Sequence, residues 1–160
     1  MPDTGRPRSR LAWMGAFAAA SLVAVGFAWP RPAAPTIDAA IDLVVREYLE
    51  QEGWDEPGVL PDGQVPLVYV GAEGASLDGL AQGWRGDGLS VDVSPYLADM
   101  PQGKGVVWVR HDTRDTEPGS VTLLVSSGEP GSCWRTQTWT VESSLFGPSA
   151  TLTDTLMSCQ

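Results

Sequence analysis

Apolar residues recur at helical spacing across residues 36–51. Five of them fall at i, i+4, i+7, i+8 and i+11: Ile37, Ile41, Val44, Val45 and Tyr48. Thr36 can cap the N-terminus, and Gly53 stands where a left-handed residue would end the helix. Charged residues at i, i+4 spacing are predicted to form a solvated opposite face: Asp42, Arg46 and Glu50. The pattern therefore predicts an amphipathic helix packed on a sheet.

Four β segments are predicted in the last third of the chain. They are Val106–Arg110, Ser120–Ser126, Cys133–Val141 and Ala150–Cys159. The connectors at residues 111–119 and 127–131 are rich in glycine, proline and acidic residues, as turns between strands are. Because connectors this short join neighbouring strands, the spacing predicts an antiparallel meander.

The region between the helix and the meander has weaker patterns. Residues 65–70 are predicted as an edge strand because Pro66 lacks an amide donor, and residues 89–93 alternate as a weak strand. Residues 76–81 are predicted to form one or two helical turns capped by Ser76, and residues 94–97 a turn or the start of a short helix. The expected fold is α+β, with one amphipathic helix packed on an antiparallel β-meander of about five or six strands.

An uncharged apolar stretch at residues 11–29 precedes this domain. As a helix rising about 1.5 Å per residue it would reach about 28 Å, close to the hydrocarbon thickness of a bilayer. Three arginines within residues 1–10 predict that this basic tail stays in the cytoplasm. The expected order is a tail at 1–10, a transmembrane anchor at 11–29, a stiff Pro/Ala linker at 30–35 and an extracytoplasmic domain at 36–160. This order predicts a single-pass protein of a bacterial inner membrane.

Two other interpretations of residues 11–29 remain open. Gly26 and Ala28 have the small side chains that a signal-peptide cleavage site needs, which would give a secreted or periplasmic protein, although Trp29 and Pro30 make a poor mature N-terminus. A buried soluble helix is disfavoured because the stretch lacks a polar face. A lipoprotein is excluded, since it needs a cysteine just after the apolar stretch and the two cysteines of the chain are Cys133 and Cys159.

The net charge of the chain limits the kinds of molecule that it is expected to bind. The 160 residues contain 20 Asp and Glu against 10 Lys and Arg, a formal charge of −10. Residues 31–160 hold 19 of the acids and 7 of the bases, which leaves them at −12. Nucleic acid is excluded as a partner because binding to it depends on neutralising phosphates with basic side chains.

The two cysteines, Cys133 and Cys159, are predicted to form one disulfide in an oxidising compartment. The bond would close a loop of about 25 residues and contribute roughly 3.5 kcal/mol in the chain-entropy account. Two free buried thiols are the alternative. A metal site is not predicted, because two cysteines and the single histidine, His111, make an incomplete zinc set.

Three segments carry a resemblance to a known group of proteins. They are Ala40–Tyr48, Pro66–Gly71 and Cys133–Val141. With the export segment ahead of them, their order resembles that of a family of small, uncharacterised bacterial cell-envelope proteins. The resemblance implies an export segment, a helix and a β-meander, and it brings no site residues with it.

His111 is the one candidate for a general base, with Asp112 and Asp115 close in sequence. No nucleophile motif accompanies it, so a solvated hairpin connection is the favoured interpretation. The acidic residues of this segment lack the spacing of a calcium loop. The glycines at 83–88 lack the lysine and the setting of a phosphate loop. We therefore expect no catalytic set and no cofactor.

The tryptophans are the candidate binding residues: Trp108, Trp134 and Trp139. In a strand, Trp134 and Trp139 lie on opposite faces, so one of them is expected to face away from the core. An exposed ring beside threonines can stack on a sugar or on a partner protein. We therefore expect a membrane-tethered, non-catalytic extracytoplasmic domain that binds an envelope protein or glycan. The alternative is a small-ligand or hydrolytic domain that uses His111 with a nearby carboxylate, and a purely structural envelope protein is a third possibility.

Overall fold

The computed structural model describes residues 33–55, 60, 64–96, 105–114, 117–128 and 133–159. The chain divides into two compact units, Met1–Arg31 and Pro32–Gln160, and every described residue belongs to the second. The tail at 1–10, the apolar segment at 11–29 and the start of the linker lie outside the described residues. Among the helices of the described part, none is long and apolar enough to cross a membrane.

Two helices form, where the sequence predicts one long helix and one or two turns. Helix α1 spans Ile37–Glu52; the Thr36 side chain accepts a hydrogen bond from the Ala39 amide (3.3 Å), and Gly53 ends the helix with φ 67°. Both predicted caps are confirmed. Helix α2 spans Leu77–Gly86 and is longer than expected, with the Ser76 side chain accepting from the Gly79 amide. The full helix was not predicted because its glycines have low helix propensity, which weakens the helical signal in the sequence.

Six strands form one mixed sheet in the order β2-β1-β3-β4-β5-β6. Their bounds are β1 Leu67–Gly71, β2 Asp92–Pro95, β3 Val106–His111, β4 Ser120–Ser127, β5 Cys133–Ser144 and β6 Gly147–Cys159. Strands β3 to β6 pair antiparallel in sequence order, as the meander requires. The α+β class and the six strands are confirmed, and the antiparallel meander is confirmed for these four strands.

The first two strands correct the prediction. Strand β1 pairs parallel with both β2 and β3, so it lies inside the sheet, and β2 forms the edge. Pro66 is no obstacle, because it precedes β1 and its carbonyl accepts a hydrogen bond from the Asp92 amide (2.9 Å). Helix α2 connects β1 to β2 and makes their parallel pairing possible. Residues 94 and 95, expected in a turn or a helix start, complete β2.

The main core lies between the two helices and one face of the sheet. Ile41, Val44 and Val45 are completely buried there, and full burial of such side chains contributes about 1.5–3 kcal/mol each. A smaller cluster of Tyr69, Val106 and Trp108 lies apart from this core. The sheet therefore has apolar packing on both faces, with the helices on one of them.

Asp42 joins the two helices, although the sequence places it on a solvated face. Its Oδ1 accepts from the Nε1 of the fully buried Trp84 (2.5 Å) and from Arg46 Nε (2.8 Å). Arg46 Nη2 also contacts Asp87 Oδ2 at 2.7 Å. Arg46 and Asp42 keep 33% and 41% of their side-chain surface exposed, so this face of α1 is partly solvated, as predicted, and also contacts α2.

Candidate functional site: the β5–β6 hairpin

The β5–β6 hairpin is the longest paired unit of the sheet. Its strands are 12 and 13 residues long, and a two-residue turn of Leu145 and Phe146 joins them. Ser144 holds this turn, since its Oγ donates to the Gly147 carbonyl (2.8 Å) and accepts from the Phe146 amide (3.2 Å). Gly147 has φ 113°, a conformation that glycine adopts at low cost. The local sequence therefore fixes a tight turn that carries two apolar side chains.

Strand β6 forms the second edge of the sheet. Within the described strands it pairs with β5 alone, so its outer row of amides and carbonyls has no strand partner. Three apolar side chains on it are exposed: Leu152 at 37%, Leu156 at 64% and Met157 at 60%. Asp154 is its single charged residue and Pro148 its single proline. Natural edge strands are usually protected by lysines, prolines or bulges, and β6 has little of this protection.

One bulge interrupts the pairing of β6. The register with β5 shifts between Thr138 and Trp139, and Thr153 is the extra residue. Its Oγ1 donates to the Thr138 carbonyl at 3.0 Å. A bulge increases the local twist, so the edge divides into two straighter segments, one before Thr153 and one after it.

The disulfide Cys133–Cys159 fastens the free end of β6. The two residues pair directly across the hairpin, with their Cα atoms 4.0 Å apart. The pairing predicted from the sequence is confirmed. Strand β6 is thus held covalently at both ends, by the Leu145–Phe146 turn and by the disulfide.

The three candidate tryptophans do not form one site. The Trp108 and Trp134 rings stack with centroids 4.6 Å apart and planes 23° apart. Trp139 lies in the core under the helices, and its Nε1 donates to Gln137 Oε1 at 3.2 Å. The two tryptophans of β5 therefore face opposite sides of the sheet, with Trp134 away from the helices.

The stacked pair is closely packed. A Cβ at Gly128 would lie 2.8 Å from Trp134 Cδ2, so only glycine leaves room for that ring. Trp134 is half-buried and Trp108 is 2% exposed, and among the described residues the Trp108 Nε1 has no hydrogen-bond partner. Binding of a sugar or a protein by these rings remains a prediction.

A polar network lies between the end of α1 and the disulfide end of β5. Arg135 contacts the Glu52 carboxylate and donates to the Tyr48 hydroxyl (3.1 Å), which also hydrogen-bonds to Ser127. Burial acts to lower the pKa of Arg135, but the hydrogen bonds to Tyr48 and Glu52 outweigh it and raise that pKa above its ordinary value. These contacts fix the last turn of α1 on the hairpin.

His111 ends β3, half-buried and opposite Leu123. Among the described residues no carboxylate hydrogen-bonds to it. The neighbouring Asp112 instead accepts from the Arg114 amide (3.1 Å), Nε (3.0 Å) and Nη2 (3.0 Å). The side-chain hydrogen bond from Arg114, followed by the backbone one, lowers the pKa of Asp112 from 3.8 to about 2. Asp115 lies outside the described residues.

Two observations concern possible metal and small-ligand sites in the described part of the chain. The described residues contain no group of three His, Cys, Asp or Glu side chains that is able to hold a metal ion. An open cleft of about 300 Å³ lies between α2 and β2, lined in part by Arg85, Ser90 and Asp92. His111 does not line it, so the cleft and the candidate base do not combine into one site.

Comparison of the chain with protein-family models, curated proteins and solved structures finds no match to any of them.

Sequence reasoning missed the free edge of β6 and its apolar turn. The segment Gly147–Cys159 lacks lysine and arginine altogether, which is the one signal of an unprotected edge that the sequence contains. Strand order decides whether such a segment is an edge, and the sequence does not reveal it.

Proposed function

We propose that this protein is a membrane-tethered, extracytoplasmic and non-catalytic domain that binds an extended segment of an envelope protein along β6. The observation that carries the proposal is the outer edge of β6, which has no strand partner among the described residues, together with its exposed apolar side chains. The disulfide supports the compartment, because such bonds persist in oxidising environments.

The edge has both elements of strand-addition binding. Its outward amides and carbonyls can pair with the main chain of an added strand, which supplies affinity. Its side chains alternate between faces, since Met157 pairs with Arg135 on the helix side and Leu156 pairs with Thr136 on the opposite side. An added strand with apolar residues at alternate positions would contact both rows.

Charge favours a foreign partner over a second copy. Residues 31–160 carry −12, so two copies repel each other before they meet. Asp154 is the one charge on β6 and lies next to its bulge. A basic residue opposite it would complement this charge, so we propose an extended segment that combines apolar and basic residues.

Site-specific photo-cross-linking in cells producing the full-length chain tests this proposal. A photoreactive residue at Leu156 is expected to give one adduct, whereas the same residue at Gln82, exposed on α2, is not. Leu156→Lys in a chain labelled at Met157 is expected to abolish the adduct, because a lysine blocks addition of a strand. Equal adducts at Leu156 and Gln82, or an adduct with twice the mass of the chain, would contradict the proposal.

A further inference from the structure

The β5–β6 turn is the most exposed apolar feature in the described part of the chain. Phe146 is 100% exposed and Leu145 is 83% exposed. Single exposed apolar residues are common, but here two adjacent ones form the tip of a hairpin. Neither side chain contributes to the apolar clusters of the domain.

The hairpin extends beyond its neighbouring strand. Strand β4 begins at Ser120, which pairs with Glu142, while Ser143 and Ser144 pair with β6 alone. With about 3.3 Å per residue, the turn stands about 10 Å past the last pairing with β4. The apolar tip can therefore meet a flat surface while the sheet stays behind it.

The chain enters the domain at the same end as this tip. The last turn of α1 contacts Arg135, near the start of β5, so the first turn of α1 lies toward the end of β5. A second contact agrees, because the Asp38 carboxylate accepts from the Ser76 amide (2.9 Å), just after the end of β1. Strands β1 and β5 run in the same direction, since β1 is parallel to β3 and two antiparallel steps separate β3 from β5.

We infer that the Leu145–Phe146 turn inserts into the surface of the bilayer that residues 11–29 are proposed to cross. The inference rests on the membrane tether of the proposed function. Six residues, 30–35, join the proposed anchor to Thr36, and a chain of six residues spans at most about 20 Å. We commit to lipid as the occupant because the tip is apolar and lies at the end of the domain where the chain arrives from the proposed anchor.

The chemistry of the tip fits the acyl–headgroup boundary. Leucine and phenylalanine are the residues with which interfacial segments enter it. The exposed Glu117 and Glu142 near the base of the hairpin disfavour anionic lipid, so the contact depends on apolar insertion and not on charge. Uncharged headgroups are therefore the proper surface for a first test.

A fluorescent probe on the full-length chain in phosphatidylcholine vesicles tests the inference. Both native cysteines are in the disulfide, so Phe146→Cys offers one thiol for an environment-sensitive nitrobenzoxadiazole label. Its emission is expected to shift to shorter wavelength and to be quenched by brominated phosphatidylcholine. The matched label at Ser90→Cys, exposed at the opposite end of the sheet, is expected to show neither effect.

Three outcomes would overturn the inference. In the first, the label at residue 146 is not quenched although the chain stays with the vesicles after extraction with alkaline carbonate. The hairpin would then not contact the bilayer, while the proposed tether would stand. In the second, carbonate releases the chain from the vesicles, which would contradict both the proposed tether and the inference that rests on it. Leu145→Asp in the labelled chain should abolish quenching, because a charge resists insertion; persistent quenching would show that the probe enters the lipid by itself.

Discussion

Removal of the disulfide is the sharpest test of how β6 is held. In the Cys133→Ala/Cys159→Ala double variant, β6 keeps its pairing with β5 and its turn but loses the covalent link at its open end. The closed loop holds about 25 residues, and opening it frees unfolded-chain entropy worth about 3.5 kcal/mol. We expect the free energy of unfolding to fall by about that amount.

Urea denaturation of the detergent-solubilised full-length chain measures the change. Unfolding is monitored by the fluorescence of the buried tryptophans. If the free energy of unfolding falls by about 2 kcal/mol for each molar increase in urea, the midpoint should fall by roughly 2 M. Hydrogen exchange adds a local readout: amides near the end of β6 should lose protection, while β3 and β4 keep theirs. The native chain under reductant should behave as the double variant does, and the double variant should not respond to reductant.

Two results would refute this reasoning. An unchanged midpoint would mean that the disulfide does not constrain the unfolded chain. Equal loss of protection in β3 and β6 would mean that β6 is not an independently held edge. In the second case the disulfide would stabilise the whole sheet. A loss of the photo-cross-linked adduct from Leu156 in the double variant would then reflect loss of the fold.

Two further predictions concern single polar contacts. Trp84→Phe removes the Nε1 donor to Asp42 and should lower the free energy of unfolding by about 2 kcal/mol in the same urea assay; no change would show that Arg46 alone satisfies the carboxylate. Arg114→Ala should raise the pKa of Asp112 from about 2 toward 3.8 in an NMR titration, and an unmoved pKa would refute the assigned cause. Because the folded pKa is the lower one, the stabilisation from Asp112 is complete above pH 3.8 and is lost as the pH falls toward 2.

The helix α1 and the four-strand meander could be predicted because their signals are local. The apolar stripe and both caps of α1 lie within residues 36–53, and short connectors force β3 to β6 to pair in order. The parallel strands could not be predicted in the same way. Strand β1 is a short apolar run, which fits an edge strand and a buried parallel strand equally well.

The full length of helix α2 could not be predicted from the sequence, because several of its residues disfavour a helix energetically. Its ten residues include Gly79, Gly83 and Gly86, each costing up to about 1 kcal/mol in a helix interior. Trp84 offsets this cost through complete burial and its hydrogen bond to Asp42. The stabilising contact comes from α1, distant in sequence, so no local pattern reveals it.

The candidate site was predicted only in part. Alternation within β5 separates Trp134 from Trp139, but the stacking of Trp134 on Trp108 depends on the register across β4. The exposure of Leu145 and Phe146 depends on how far the hairpin extends past β4. Both are properties of pairing between strands, which local composition does not encode.

The mixed strand order has a consequence for how the chain folds as it is synthesised. Strand β1 is made early, but one of its two neighbours, β3, follows only after α2 and β2 are complete. The β5–β6 hairpin, by contrast, closes through a two-residue turn and pairs within its own sequence. Pairings distant in sequence form slowly, so the β1–β3 contact is expected to be the slow step of assembly. Until that step, the apolar edge of β1 stays open to aggregation or chaperone capture.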